Sequence, residues 1–116
     1  MESKRHGYGQ ITHEEERWTY KGQFENDLIS GFGQLLLEKS GDRYKGQFRE
    51  NMKNGLGHYQ WQNAEYIGYW KNNCKEGLGL FKSEEQHFYG YYRRDVPDGM
   101  GVCTWIKDGN RYEGEW

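Results

Sequence analysis

The feature that most constrains this chain is an internal repeat. The pattern aromatic-x-Gly-x-aromatic occurs five times, and its central glycines are 24, 22, 22 and 24 residues apart. In the four units that contain both motifs, a Gly-x-Gly pair begins seven residues after the last aromatic. A fixed repeat of about 20 to 50 residues indicates stacked units that bury apolar surface against their neighbours. The ten motif aromatics are Tyr20, Phe24, Tyr44, Phe48, Tyr66, Trp70, Phe88, Tyr92, Tyr112 and Trp116.

Each motif alternates with a period of two residues, which predicts a β-strand. Tyr20, Gly22 and Phe24 would share one face of such a strand. Three residues after each final aromatic stands Asn or Asp, the side chains that best tolerate a left-handed turn conformation. We therefore predict an all-β fold, an elongated single-layer twisted antiparallel sheet of consecutive β-hairpins with about ten strands. Its length would be on the order of 45 Å and its width about 17–20 Å.

Glycine inside a strand is costly unless another group approaches the backbone closely. The repeated rings are therefore expected to lie over glycines of neighbouring strands. This packing is the main role predicted for the ten motif aromatics. Part of the same stripe is also a candidate for lining a groove that receives a partner segment, because a single-layer sheet cannot cover both of its faces.

The whole chain, residues 1–116, is predicted to be a single repeat array. The predicted first hairpin lacks its first strand and the last lacks its second, so both ends would be open sheet edges. Two interpretations stay open: a piece of a longer array, or edges that pair with other chains. The predicted units are a partial one at 1–19, four complete ones at 20–43, 44–65, 66–87 and 88–111, and a partial one at 112–116.

The composition narrows the class of protein. The chain has 16 Lys and Arg against 18 Asp and Glu, which argues against a basic nucleic-acid surface. Aromatic residues make up 17% of the chain, which argues against disorder. No apolar stretch reaches the roughly 20 residues of a membrane-spanning helix, and the N-terminus lacks the apolar core of a signal peptide. Cys74 and Cys103 have no CxxC spacing, so we expect a reduced, cytoplasmic chain without disulfides.

A search for chemistry along the chain predicts no catalytic, metal or cofactor-binding residues. The four histidines have no metal-ligand spacing, and no serine lies in a nucleophile motif. The Gly-x-Gly pairs are not followed by a helical pattern or by Lys-Ser/Thr, which excludes a phosphate-binding loop. Cys103 is expected in the core, Cys74 at a turn, and Glu14–Glu16 in a solvated turn. We therefore expect no enzymatic activity.

The best candidates for specificity are residues that break the repeat. Tyr69, Tyr89 and Tyr91 replace the Lys, Gln or Glu of the other units. Together with Ile67 they would form an apolar patch on the face opposite the rings, and large exposed patches usually mark contacts. Ile67, Tyr69, Tyr89 and Tyr91 are thus the predicted partner-binding residues.

The unit Tyr-x-Gly-x-(Trp/Phe) followed by Gly-(aromatic/Leu)-Gly resembles the MORN repeat, and the segments KRHGYG and DGNRYEGEW match the consensus of that family closely. The resemblance covers essentially the whole chain. It implies a twisted, elongated all-β sheet with a groove, acting mainly as an assembly platform. Radial-spoke heads and parasite cytoskeletal proteins carry such arrays, which points to the cytoskeleton or a ciliary axoneme.

An older interpretation of the family is phospholipid binding. The family often has lysine four residues after the final aromatic, where this chain has only uncharged side chains, and anchoring to lipid headgroups relies on clustered basic residues. The residues at that position are Leu28, Met52, Cys74 and Val96.

We predict a non-enzymatic protein–protein interaction scaffold whose partners are other assembly subunits, with pairing through the terminal strands as a further contact. The alternative is a phospholipid-binding module at a membrane surface. A third class, binding of single-stranded RNA on stacked aromatics, is disfavoured by the sequence pI of about 6.1.

Overall fold

A computed structural model describes residues 3–116, which contain ten β-strands and no helix. The strands form one open sheet in which each strand pairs, antiparallel, with its neighbours in sequence. The predicted all-β single-layer sheet is therefore confirmed. Residues 1 and 2 of the predicted partial unit 1–19 lie outside the described part. The strands are β1 (Gly7–His13), β2 (Trp18–Glu25), β3 (Leu28–Leu37), β4 (Asp42–Arg49), β5 (Met52–Gln60), β6 (Ala64–Lys71), β7 (Cys74–Ser83), β8 (Gln86–Arg93), β9 (Val96–Trp105) and β10 (Arg111–Glu115).

Two-residue turns join each motif strand to the strand that follows it, as predicted. Both central residues of these turns have positive φ, as the type I′ hairpin turn requires. Asn26 and Asp27, with φ of 48° and 72°, are suited to this geometry. Glu50 and Arg94 adopt the same geometry with φ of 47° each, so the hairpin imposes it on less suitable residues. The four turn pairs are Asn26-Asp27, Glu50-Asn51, Asn72-Asn73 and Arg94-Asp95.

Each of these hairpins also contains a bulge. The pairing register shifts between Gly22 and Phe24, where β3 takes four residue steps against two in β2. Gly31 lies in that bulge with φ of +97°, a conformation that side chains rarely adopt. Gly55, Gly77 and Gly99 occupy the equivalent bulges of the later hairpins with φ of +91° to +103°. The first glycine of each Gly-x-Gly pair is thus fixed by backbone conformation.

The remaining motif glycines form a continuous row across all ten strands. Their register pairs each one with the next, from Gly9 on β1 to Gly114 on β10. Rings cover this row: a Cβ built on Gly33 would overlap the Tyr20 ring, and one built on Gly57 would overlap the Tyr44 ring. The expectation that rings lie over glycines is confirmed. The row consists of Gly9, Gly22, Gly33, Gly46, Gly57, Gly68, Gly79, Gly90, Gly101 and Gly114.

The aromatic stripe over the glycine row is the core of the protein. Consecutive rings meet edge to face, with centroids 5.3 Å apart for Tyr20 and Phe48 and 5.6 Å apart for Tyr44 and Trp70. Burying each such side chain contributes roughly 1.5–3 kcal/mol, and the edge-to-face geometry adds to this. The buried core residues are Tyr20, Phe24, Tyr44, Phe48, Tyr66, Trp70, Phe88, Tyr92 and Cys103.

Hydrogen bonds between turns fasten successive hairpins to one another. Asn73 accepts a bond from the backbone N–H of Lys53 through Oδ1 at 2.9 Å and donates its own N–H to the Lys53 carbonyl at 3.1 Å. Asn51 makes the same pair of bonds with Ile29, and Asp95 with Lys75. The Asn or Asp at this position therefore both forms its own turn and binds the preceding hairpin.

The sheet measures 60 × 26 × 19 Å, which is longer and wider than the sequence prediction. The greater width follows from the strand length, because average strands were assumed whereas β3, β7 and β9 each run ten residues. Among residues 3–116 no helix has the length and apolar character needed to cross a membrane.

Candidate contact surface

The two faces of the sheet differ in what they expose. The face with the rings, termed the ring face, buries eight of the ten predicted motif aromatics. The other two, Tyr112 and Trp116, lie on or beside β10 and are 43% and 45% exposed. Trp116 still meets Phe88 edge to face at 5.1 Å. The stripe therefore acts chiefly as packing, and the groove role proposed for part of it stays a prediction.

The opposite face, termed the back face, carries the side chains that alternate with the rings. Its central row changes character halfway along the sheet: it is polar from β1 to β5 and apolar from β6 to β9. All four predicted partner-binding residues lie on this face. In order of pairing, the row is Gln10, Lys21, Gln34, Lys45, His58, Ile67, Leu80, Tyr89, Val102 and Glu113.

A glutamine closes the bulge in the first two complete hairpins. Gln23 Oε1 accepts the backbone N–H of Phe32 at 2.7 Å, and Gln47 Oε1 accepts that of Leu56 at the same distance. These bonds satisfy a backbone donor that the bulge removes from the ladder. Gln23 and Gln47 therefore have a structural role, which the sequence pattern alone did not reveal.

Tyrosine replaces this glutamine in the next two hairpins. Tyr69 and Tyr91 extend into solvent, each with 51% of its surface exposed. Within residues 3–116 no side chain takes the place of the glutamine oxygen on the backbone N–H of Leu78 or Met100. A Cβ built on Gly77 would meet only Tyr69 Cβ, at 3.6 Å, whereas the matching Cβ on Gly55 would overlap the Gln47 amide. The substitutions thus remove a structural bond and leave the bulge open.

The four predicted residues belong to a larger apolar surface. Leu56 and Met100 are 50% and 56% exposed, and Tyr89 is 51% exposed. Cross-strand pairs join these side chains, since Leu56 lies opposite Tyr69 and Leu80 lies opposite Tyr89. Apart from Ile67, the aliphatic members and Met100 were not predicted from the sequence, although they lie at fixed repeat positions. The surface, termed the tyrosine patch, consists of Leu56, Ile67, Tyr69, Leu78, Leu80, Tyr89, Tyr91, Met100 and Val102.

Two lysines on the ring face sit inside aromatic boxes. The Lys53 ammonium lies 5.2 to 5.8 Å from the ring centroids of Tyr44, Tyr59 and Trp70. Burial lowers the pKa of Lys53, and attraction to the Asp95 carboxylate opposes that effect. This lysine was not predicted from the sequence. The sequence does contain a signal for it. In the preceding unit Ile29 occupies the position of Lys53 and Leu35 occupies that of Tyr59, so the lysine is found where an aromatic ring is available to it.

Lys75 has the same environment one hairpin further on. Its ammonium lies 5.3 to 5.8 Å from four ring centroids, those of Trp61, Tyr66, Phe81 and Tyr92. Burial lowers its pKa as well. A cation held over several ring faces gains electrostatic energy from each of them, so both lysines serve the packing of the ring face.

Other titratable residues do not converge on a site. Residues 3–116 contain no group of three or more His, Cys, Asp or Glu side chains that could hold a metal ion. Cys103 is 1% exposed and lies in the core, as predicted, while Cys74 is half-buried at the start of β7. His58 Nε2 is buried without a hydrogen bond, 3.8 Å from a Glu65 carboxylate oxygen. Glu14–Glu16 are exposed in a turn, as predicted.

Comparison with known proteins identifies the repeat. The sequence model of the MORN repeat matches residues 20–39, 44–63, 66–85 and 88–110, which together are more than half of the chain. Each matched segment starts at the first aromatic of a motif and ends two to five residues after the strand that contains its Gly-x-Gly pair. No sequence among the curated proteins compared with this chain matches it.

Proposed function

This chain belongs to the MORN-repeat family, and we propose that it is a non-enzymatic scaffold module that binds another protein through the tyrosine patch. Repeats of this family interact with proteins and lipids. The observation that supports a protein contact is the replacement of Gln by Tyr69 and Tyr91 at positions where Gln23 and Gln47 stabilise the bulge. An exposed apolar side chain that costs a structural bond needs a compensating contact.

The second part of the proposal concerns where the protein acts. We infer a cytoplasmic protein of a cytoskeletal or ciliary assembly, in which the sheet is a platform for other subunits. The resemblance of this array to those of radial-spoke heads supports this setting. A 60 Å sheet with its core on one face leaves the other face free for such contacts.

The test is a triple variant that gives the patch the residues found in the first hairpins: Tyr69→Gln, Tyr89→Lys and Tyr91→Gln. Because Gln23 and Lys21 occupy the matching positions and the new glutamines can close the bulges, the variant is expected to fold with a urea stability at least equal to that of the wild type. In proximity labelling of cells it should lose neighbours that the wild-type chain labels. Lys21→Ala with Gln34→Ala, on the polar half of the back face, is the matched control and should label normally.

Two results would count against the proposal. Unfolding of the triple variant would make the three tyrosines core residues, and an unchanged set of labelled neighbours would remove the patch as a contact surface. Flotation with anionic liposomes tests the phospholipid alternative. Salt-sensitive co-flotation of the wild-type chain would favour a lipid surface, which depends on charge, over a protein contact.

A further inference from the structure

The open bulges of β7 and β9 offer two backbone donors on the back face. In the hairpins closed by glutamine, an uncharged amide oxygen meets the equivalent N–H at 2.7 Å. The N–H groups of Leu78 and Met100 lack that oxygen, and the space above Gly77 and Gly99 is clear except for tyrosine Cβ atoms at 3.6 and 3.7 Å. The structure of the closed hairpins therefore defines the missing group: a neutral carbonyl oxygen that approaches from the back face.

The spacing of the two donors restricts which segment can supply both oxygens. Leu78 and Met100 lie on alternate strands, β7 and β9, so their N–H groups are separated by two strand spacings, about 9.6 Å. A polyproline II segment repeats every three residues with a rise of about 3.1 Å each, or roughly 9.3 Å per turn. Its carbonyls at positions i and i+3 therefore point the same way at nearly the required separation. In an extended strand the carbonyls on one side are only about 6.6 Å apart, and in an α-helix they are already bonded.

The side chains around the two N–H groups also form a surface that suits a polyproline II segment. Tyr89 and Tyr91 line a cavity of about 500 Å³ together with Leu78, Met100 and Val102. Exposed aromatic grooves are the surfaces on which proline-rich segments dock. Proline has no N–H, so it can lie on this apolar floor without burying an unsatisfied donor.

We propose that the tyrosine patch binds a proline-rich protein segment in the polyproline II conformation, whose carbonyls at positions i and i+3 accept the N–H groups of Leu78 and Met100. This inference rests on the proposed function, because it names the partner chemistry of the same surface. It also explains why two hairpins in succession have lost the glutamine, since one open bulge would bind only one of the two carbonyls.

The probe is a capped decaproline peptide, titrated into the isotopically labelled 116-residue chain and followed by amide NMR. A capped ten-residue Gly-Ser peptide is the control for conformation. We expect decaproline to shift the amide signals of Leu78 and Met100 downfield and to leave those of Phe32 and Leu56 in place, while Gly-Ser has no effect. Absence of decaproline binding at millimolar concentration, or binding without those two shifts, would overturn the inference.

Three double variants separate the donors from the rings. Tyr69→Phe/Tyr91→Phe keeps both rings and both open bulges, so it should bind as the wild type does. Tyr69→Ala/Tyr91→Ala removes the rings and leaves the N–H groups open, and Tyr69→Gln/Tyr91→Gln removes the rings and closes the bulges. We expect the glutamine variant to bind at least about tenfold more weakly than the alanine variant, which corresponds to one or two lost hydrogen bonds.

Equal binding by the alanine and glutamine variants would overturn the role of the two donors. The proposed function has its own readout. If decaproline does not bind but the Tyr69→Gln/Tyr89→Lys/Tyr91→Gln variant still loses its labelled neighbours, the patch remains a protein contact surface and only the polyproline chemistry is wrong.

Discussion

Adding a methyl group at Gly33 should disrupt the contact between an aromatic ring and a glycine of the next strand that recurs along the sheet. A Cβ at this position would overlap the Tyr20 ring, which is fully buried. The ring must move, and its hydroxyl then loses the bond it donates to the Gln23 carbonyl at 2.9 Å. Overpacking costs typically about 1–3 kcal/mol and the hydrogen bond about 1 kcal/mol, while alanine regains about 0.5–1 kcal/mol of backbone entropy. Gly33→Ala should therefore destabilise the protein by roughly 1–3.5 kcal/mol.

Two glycines of the same row provide internal controls for that prediction. A Cβ on Gly9 would meet only the edge of the Phe24 ring, with Cε1 at 3.3 Å and Cδ1 at 3.5 Å, so Gly9→Ala should change stability by no more than about 0.5 kcal/mol. Gly101 is intermediate, because its Cβ would lie 2.7 Å from Phe88 Cζ and no hydroxyl bond is at stake. Neither Gly33, Gly9 nor Gly101 has positive φ, so alanine is not strained by the backbone at any of them.

Urea unfolding followed by tryptophan fluorescence measures all three variants. With a slope of about 2 kcal/mol per M, the Gly33→Ala midpoint should fall by roughly 0.5–1.8 M while that of Gly9→Ala stays close to the wild type. The order of destabilisation should be Gly33→Ala, then Gly101→Ala, then Gly9→Ala. If Gly33→Ala proved as stable as Gly9→Ala, close approach of the ring would not be the reason for the glycine row.

Three further predictions follow from single interactions. Phe88→Tyr should raise stability by about 0.5–1 kcal/mol in urea unfolding, since the new hydroxyl can donate to the Tyr91 carbonyl as Tyr66 does to that of Tyr69; a loss of stability would show that the site cannot accommodate it. Asn73→Ala should cost about 1–2 kcal/mol, and Asn73→Gly should recover the part due to positive φ but not the bond to the Lys53 N–H. Burial raises the pKa of Tyr92 to about 12, so the unfolded chain releases this proton first and stability should fall between pH 10 and about 12. Tyr92→Phe should decline less steeply over that range in a pH series of urea midpoints, and an equal slope would contradict the assignment.

The sequence predicted the fold well because alternation and turn chemistry are local properties. The alternation of Tyr20, Gly22 and Phe24 predicts a strand whatever its neighbouring strands are, and Asp27 predicts the turn. The contacts of rings with glycines were also predictable, because glycine inside a strand is costly unless another group approaches the backbone closely. The strand lengths were underestimated, since the bulge at Gly31 adds residues that no periodicity reveals.

Side chains whose role depends on the register across the bulge could not be predicted in this way. Gln23 bonds to Phe32 only because the bulge turns that N–H towards it. Lys53 meets three rings contributed by three different strands, so the pattern of its own strand does not show the contact, and only comparison with Ile29 at the equivalent repeat position gives a signal. The predicted patch residues Tyr69 and Tyr91 were found because they differ from other units, but the open bulges behind them became apparent only from the contacts of Gln23.

The division between the faces explains where this fold can acquire a specific function. On the ring face a change at one position disturbs rings on three strands, as the Lys53 box shows, so that face has little freedom to vary. On the back face of the first two complete hairpins, the structural side-chain bond is that between an acceptor oxygen and the N–H in the bulge. Replacing that acceptor, as at Tyr69, costs about one hydrogen bond and provides both an exposed ring and a backbone N–H without a side-chain acceptor. The replacement is thus tolerable for the fold and suited to the binding that we propose, and two of them in adjacent hairpins create a pair of donors whose separation is set by the strand spacing rather than by any side chain.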